Sequence, residues 1–370
     1  MADWNGSELD GLVLHTGRLT LRPWQPEDAV SVERIMADQR MGRYLPLPWP
    51  YTAADATEFV TNLGARGRQS GTRLDCAIAD NTGGELVGSA SIWLTPAERT
   101  GEIGYWIGSQ HWGRGLATGA VQALARFGFA HDLARIRIVC DQQNVASARV
   151  ALRTGFSFEG IARNAVPGRD GPVDGSVFAR TPDDSGEPIL PGWAPMQPLT
   201  DGVIIVRPLQ AEDWPLVLAE ADNDESRAWN FGGQVSAADA VRSCKAAPLN
   251  WLVGRIARLA ICDAATGAGA GTMMLRPVGP PDVAGVGYGI VPSFRGRHFT
   301  SRALRLVSDW AFSQTPIMRL ELGCKVANTA SIRSAEAAGF VADARFAGRL
   351  RNPDGSYSDE IGFGLVRPKG

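Results

Sequence analysis

The chain is written twice. The segment RLTLRPWQPEDAVSV at 18–32 returns as VIIVRPLQAEDWPLV at 203–217, with the shared arginine 185 residues further on. NVASARVALRTGF at 144–156 returns as NTASIRSAEAAGF at 328–340, 184 residues on. Cys140 and Cys324 also stand 184 apart, and Cys76 and Cys262 stand 186 apart. A spacing this steady marks a duplicated domain and is far too long for a solenoid repeat. With 370 residues there is room for two cores of ordinary size. The four cysteines then read as small buried strand residues of two equivalent cores, not as reactive thiols.

Between the copies lies TPDDSGEPILPGWAPMQPLTDG, rich in proline, glycine and acidic residues, which reads as a linker without regular structure. Trp193 and Met196 give it apolar anchors for a domain surface. The expected organisation is a first domain over 1–180, a linker over 181–202 and a second domain over 203–370. The duplication implies a monomer with an internal pseudo-dimer.

Composition narrows the function. The net charge of −2 gives no basis for nucleic acid or an anionic membrane as partner. Five cysteines with no C-x-x-C spacing argue against a disulfide framework and against a zinc or other metal site. The N-terminal stretch lacks the apolar core of a signal peptide, and no apolar run approaches the ~20 residues that span a bilayer. The expected location is the cytoplasm.

Each half reads in the same order. In the first, a strand over 16–23 precedes a helix opened by Pro26 and acidic residues, then the loop YLPLPWPY at 44–51 and a helix over 53–66. Strands over 73–79 and 86–94 flank the turn DNTGG. A strand at 101–108 leads through a glycine-rich loop into a helix at 118–131. The strand RIRIVCD, a short helix from Ala146, and strands near 156–162 and 175–180 close the half. This is α+β order with a mixed, mostly antiparallel sheet, not a doubly wound alternation.

The loop GSQHWGRGLATGA at 108–120 leaves backbone bare at the mouth of a helix. A helix N-terminus offers unpaired N–H groups and the positive end of the macrodipole. Gly113 and Gly115 remove side chains that would hold a phosphate away, Ala117 adds little bulk, and Arg114 can add charge. The loop suits a pyrophosphate. It also reads as a plain strand-to-helix turn. It is neither a Walker loop nor a dinucleotide fingerprint, since no G-K-[ST] or G-x-G-x-x-G is present.

The order EIGYWIG, the glycine loop, N-V-A-S and GF-x-x-EG-x-x-R resembles the GNAT superfamily of N-acyltransferases, and within it the RimJ/RimL-like branch. The resemblance covers nearly the whole chain as two tandem GNAT folds. The family's phosphate-loop pattern Q/R-x-x-G-x-G/A falls here on Trp112, Gly113, Arg114, Gly115, Leu116 and Ala117, with Thr118 following. The resemblance implies acetyl-CoA or another acyl-CoA as donor and no metal.

It further implies a fourth strand splayed by a bulge, exposing backbone at Trp106 and Ile107 to pantetheine. Asn144 would hold the pantetheine arm, and Ser147 would protonate the departing thiolate. Both also suit caps of the helix that follows, and the two roles are compatible. Glu102 is the candidate base that strips the acceptor ammonium, and also reads as an exposed strand-end charge. An α-amine (pKa ~8) gives up its proton at neutral pH far more cheaply than a lysine (pKa ~10.4). Tyr44, Trp49 and Asp174 are the candidate acceptor contacts, and the aromatics also suit packing in a proline loop.

In the second copy, VPSFRGRHFTSRA, His298 stands for Gly115, Thr300 for Ala117 and Gly285 for Glu102, while Asn328 and Ser331 remain. The expectation is an N-acyltransferase whose first half transfers an acyl group directly to a primary amine, either a peptide N-terminus or a small molecule. Its second half would be structural or part of the acceptor groove. The alternatives are an acyl-carrier-protein donor, or a non-catalytic binding protein on the same fold.

Overall fold

The computed structural model describes the chain apart from residues 1–8, 10, 64–67, 69, 191, 222–225, 227–228, 230–234, 353 and 370. Contacts divide it into two units, Met1–Leu190 and Pro191–Gly370.

The first unit runs β1 (Leu14–Thr16), β2 (Leu19–Arg22), α1 (Asp28–Met36), α2 (Ala53–Glu58), β3 (Arg73–Asp80), β4 (Leu86–Thr95) and β5 (Thr100–Ile107). It continues with α3 (Leu116–Ala130), β6 (Arg135–Asp141), α4 (Val145–Arg153), β7 (Ser157–Gly168) and β8 (Gly171–Arg180). Eight strands form one sheet in the order β1-β2-β3-β4-β5-β6-β8-β7. Every neighbouring pair is antiparallel except β5 with β6.

The second unit repeats the plan. Its elements are β9 (Leu199–Thr200), β10 (Ile204–Pro208), α5 (Trp214–Ala221), α6 (Ala237–Leu252), β11 (Ala257–Asp263), β12 (Gly269–Pro277) and β13 (Val283–Ile290). Then come α7 (Phe299–Gln314), β14 (Arg319–Lys325), α8 (Thr329–Ala337), β15 (Val341–Arg351) and β16 (Tyr357–Val366). The sheet order is the mirror listing β15-β16-β14-β13-β12-β11-β10-β9, and β13 with β14 is its one parallel pair.

Local chemistry explains the repeated R-P-x-Q-x-E-D segment. Arg22 grips Asp28 with two hydrogen bonds of 2.7 and 2.8 Å, and Asp28 also accepts from the Gln25 amide at the start of α1. Arg207 and Asp213 repeat the grip at 2.7 and 2.8 Å, with the Gln210 amide. The motif fastens a helix start to a strand end in both units.

The core of the first unit packs α3 against the sheet. Leu116, Ala120, Val121, Leu124 and Phe127 are buried on one face of α3 at helical spacing. Helix and strand come unusually close at Gly128 and Gly101. A Cβ on either would lie 2.9 Å from the Leu133 side chain and within 3.3 Å of Ile92. Side chains there would push α3 off β5.

Three boundaries differ from the sequence reading. The strand expected over 16–23 is two strands joined by a turn at Gly17, and α3 begins at Leu116. The last hairpin, β7–β8, is longer than its Pro-Gly-Asn composition suggests, with a register shift between Ala162 and Val166 that absorbs the irregular residues. Residues 64–66 of the expected second helix lie outside the described residues. Within the segment read as a linker, Trp193 (4% exposed) and Met196 (8%) belong to the core of the second unit, and Leu199–Thr200 pairs with β10.

The cysteine spacing misleads in one case. Arg22 pairs with Ala77, and Arg207 with Ala260, so the two sheets correspond at 183 residues here. Cys76 therefore occupies the place of Leu259, and Cys262 that of Ala79. Cys140 and Cys324 do correspond, because Glu102 pairs with Arg137 as Gly285 pairs with Glu321. All five cysteines are buried and free. Among the described residues no helix is long and apolar enough to cross a membrane.

Candidate active site

The site forms where the sheet forks. β5 runs parallel to β6 for only three residue pairs, Thr100–Arg135, Gly101–Ile136 and Glu102–Arg137. Beyond Glu102 the strands part: β5 stays on β4 as far as Ile107, and β6 goes on with β8. The β4–β5 ladder shows no register shift, so no bulge produces the fork. β5 simply diverges from its parallel neighbour.

Alternation settles which backbone faces the fork. The Gly108 amide donates to Val87 O beside β4. In an antiparallel ladder the groups at Trp106 then point to β4, and those at Tyr105 and Ile107 point away from it. Of the two predicted backbone contacts, Ile107 therefore faces the fork and Trp106 does not. The Trp106 side chain packs beside Trp24 and Phe59, with ring centroids 6.5 and 6.4 Å away. The Ile107 carbonyl accepts the Trp112 indole N–H at 2.7 Å, so two predicted donor-site residues are bonded to each other.

At the top of the fork is the glycine loop. Gly113 and Gly115 have φ of +76° and +78°, a left-handed path that favours glycine. Space beside both is open, with nothing within 4 Å of where a Cβ would stand. None of the backbone N–H groups of Gly113, Arg114, Gly115, Leu116, Ala117 and Thr118 donates to another described residue. Six consecutive donors, four of them at the mouth of α3, make a cradle for an anion. The Arg114 side chain does not join them as expected. It contacts His111 Nδ1 at 2.9 Å and Asp80 at 3.1 Å. Asp80 also takes Arg18 at 3.2 Å, and the Thr82 amide and hydroxyl help hold its carboxyl down at about 2.

Along the other arm of the fork, Asn144 Oδ1 accepts the Ser147 amide at 3.1 Å, a true N-cap of α4. The capping reading of Asn144 is thus realised. Tyr105, on β5, donates its hydroxyl to the Ser147 carbonyl at 3.2 Å and ties the two arms together. Burial raises its phenol well above the ordinary range. Sequence reasoning missed Tyr105, although Tyr288 repeats it in the second unit, with its hydroxyl 2.8 Å from Ser331 Oγ.

Tyr44 and Asp174 meet at the same end. The Tyr44 hydroxyl donates to Gln143 O at 3.0 Å, while the Asp174 carbonyl accepts from Gln142 and its carboxylate from Asn164. A cavity of about 250 Å³ opens between Tyr44, Asp141 and the β7–β8 turn. Trp49 stands exposed on its loop, 45% accessible. Glu102 is at the base of the fork, bonded to Arg137 Nε at 2.6 Å, in a cleft of about 500 Å³ shared with Trp93 and Arg135. Among the described residues, no group of three His, Cys, Asp or Glu side chains is gathered to hold a metal ion.

The second unit keeps the fork, the Tyr288–Ser331 bond across it and the Asn328 cap, and loses the carboxylate and one loop glycine. β13 leaves β14 after Gly285, and Gly285 brings no side chain to the place of Glu102. Its loop follows the same path, but the residue at φ +61° is His298.

Comparison with known proteins follows the same division. The family model described as an acetyltransferase (GNAT) domain matches twice, over residues 18–157 and 204–341. An uncharacterized N-acetyltransferase p20 of Bacillus licheniformis is 28% identical over 172 residues, covering 45% of this chain and 94% of that protein. The ribosomal-protein-serine acetyltransferase of Escherichia coli is 38% identical over 101 residues, covering 27% of this chain and 56% of its own. Among solved structures, Mycobacterium smegmatis RimJ in complex with CoA-disulfide is 25% identical with a TM-score of 0.42, covering 46% of this chain and 87% of that one.

Proposed function

The chain belongs to the GNAT acetyltransferase family, and on that premise we propose that its first unit moves an acetyl group from acetyl-CoA directly to a primary amine. The observation that carries the reading is the cradle of six unpartnered amides, Gly113–Thr118, directly above a forked sheet edge. A pyrophosphate fits the cradle, and a pantetheine arm fits the fork as a short extra strand would, along Tyr105 and Ile107. The Trp112 indole would yield the Ile107 carbonyl when such a strand enters. Asn144 holds the opposite arm through its cap.

The donor supplies an activated acetyl group. Glu102 takes the acceptor's proton, directly or through one water, so that the amine attacks as the free base. The Ser147 hydroxyl, at the N-terminal turn of α4, returns a proton to the leaving thiolate. The acceptor enters past Tyr44, Trp49 and Asp174. A peptide N-terminus or a small-molecule amine meets these demands, and the likeness to the ribosomal-protein-serine acetyltransferase of Escherichia coli favours the first. The second unit takes no part in the chemistry, since it lacks a carboxylate at Gly285 and carries an imidazole at His298.

Calorimetric titration of acetyl-CoA into the full chain tests the reading, with Gly115→Trp beside it. We expect one site per chain, lost in the variant. Two sites would return the second loop to function, and no binding would point to a carrier-protein donor or a non-enzymatic role.

A further inference from the structure

We propose that Asp75 and Trp93 form a subsite for a second positive charge on the acceptor, a place the Arg73 guanidinium now fills, so that the preferred amine is a dication. The inference rests on the acetyl-transfer reading above and names the substrate class for that same site.

Strand register sets the stage. Arg73 pairs with Trp93, Trp93 with Glu102, and Glu102 with Arg137, in one rung across four strands. Two residues on, the next rung of the same face is Asp75, Ser91 and Gly104. Residues paired in this way share a face of the sheet. The base and the subsite therefore face the same side, with Asp75 two strands and one rung from Glu102, roughly 12 Å between Cα atoms.

Asp75 is 3% exposed, and only one of its oxygens is used. Oδ1 receives Arg73 at 2.6 and 2.7 Å, while Oδ2 is buried without a hydrogen-bond partner. An unpaired buried acceptor is costly, and here the cost is eased by the charge of the buried Arg68, whose Nε donates to the Asp75 carbonyl at 2.7 Å. Burial lifts this carboxyl to about 6, which leaves it ionised at neutral pH.

The same Arg73 guanidinium lies 4.3 Å from the centre of the Trp93 ring. That ring covers Gly104, where a Cβ would come within 2.5 Å of it. A carboxylate and an aromatic face together are what an organic cation seeks. Here the chain's own guanidinium stands between them. Trp93, 39% exposed, lines the same cleft as Glu102, whereas Arg73 and Asp75 do not line it, so an entering cation must displace the Arg73 guanidinium to reach the carboxylate.

The second unit is an internal control. Gly287 pairs with Met274 and Met274 with Arg258, so an arginine replaces Asp75. Gly285 pairs with Arg276, which replaces Trp93, and Gly285 itself replaces Glu102. The fold stands without carboxylate, aromatic or base, and all three are lost together. The constellation follows the chemistry, not the architecture.

The test compares alkylamines with α,ω-diaminoalkanes of matching length as acceptors for the full chain with acetyl-CoA. We expect kcat/KM about tenfold higher for the diamine, a factor within reach of one desolvated cation–aromatic contact. Asp75→Asn should erase the preference by raising KM for the diamine alone. Arg73→Ala removes the competing guanidinium and should lower that KM. A purely structural ion pair predicts instead that both variants lose activity on both acceptors, which would overturn the proposal. Tryptophan emission titrated with the diamine alone, with Trp93→Phe as blank, reads binding without turnover. Quenching with no turnover of any amine would defeat acetyl transfer and keep the subsite; turnover without diamine preference would keep transfer and sink the subsite.

Discussion

Arg137 holds the Glu102 carboxylate across 2.6 Å, and the two residues occupy the last pair of strand positions before β5 and β6 separate. The candidate base is thereby anchored at the base of the fork, between a cation from one arm and the Trp93 ring from the other side. Arg137 is a positioning residue in this arrangement.

Replacing Glu102 by Gln should cut turnover by about 10²–10⁴-fold while acetyl-CoA affinity by calorimetry stays near wild type. Arg137→Met, on a side chain 56% exposed, should change stability by less than about 1 kcal/mol yet lower kcat through a misplaced carboxylate. Unchanged turnover in Glu102→Gln would remove Glu102 from the chemistry.

Gly115→Ala tests the loop more gently than tryptophan does. A left-handed backbone costs a residue with Cβ about 1–2 kcal/mol, and nothing crowds the new methyl. The thermal midpoint should fall, and acetyl-CoA should bind more weakly as the loop relaxes. His298→Gly should raise stability or leave it level, because the same strain is relieved there. Loss of stability in both variants would mean that φ is not what these positions obey.

Asp75 makes a pH-dependent contribution with a definite sign. Its carboxyl titrates near 6 in the folded chain, against the usual carboxylate range in the unfolded one. The folded state therefore binds the extra proton, and this group's stabilising term, complete at low pH, is lost as pH rises through about 6. A shift of this size corresponds to about 2–3 kcal/mol. Denaturant midpoints of wild type and Asp75→Asn at pH 4.5 and 7 should show the variant gaining on wild type at the higher pH. A gap independent of pH would place the titration elsewhere.

Asp28→Ala leaves Arg22 with 20% side-chain exposure and no carboxylate. Breaking such a pair costs about 3–5 kcal/mol when fully buried, so a loss of ~2–4 kcal/mol is expected in urea unfolding. Asp213→Ala should cost a similar amount, through Arg207. A loss under ~1 kcal/mol would show that the repeated motif is retained for another reason.

The duplication, the α+β order and the glycine loop were legible because each is local in the chain or set by periodicity. What escaped depends on contacts between distant segments. Arg114 is drawn to Asp80, 34 positions earlier, and no pattern near the loop announces that. Asp75 and Arg73 share a strand face by alternation, but only register brings Trp93 from the neighbouring strand beside them. The Cys76–Cys262 match failed because insertions in connecting loops shift the repeat spacing from 185 to 183 before the central strands. Asn144 fitted two readings at once, and only geometry shows its oxygen on the Ser147 amide.

The three-pair seam between β5 and β6 has a mechanical consequence. With so short a seam, the aperture of the fork rests on the Tyr105–Ser147 bond across it and on the helices packed behind it. Gly101 on the seam and Gly128 on α3 press on the same Leu133 and Ile92 side chains. A Cβ on Gly128 would also meet Ile136 of β6 at 2.8 Å, so this point of the helix abuts side chains from both sides of the seam. A single added methyl at Gly128, remote from every reacting atom, would lever the arms and retune the width of the opening.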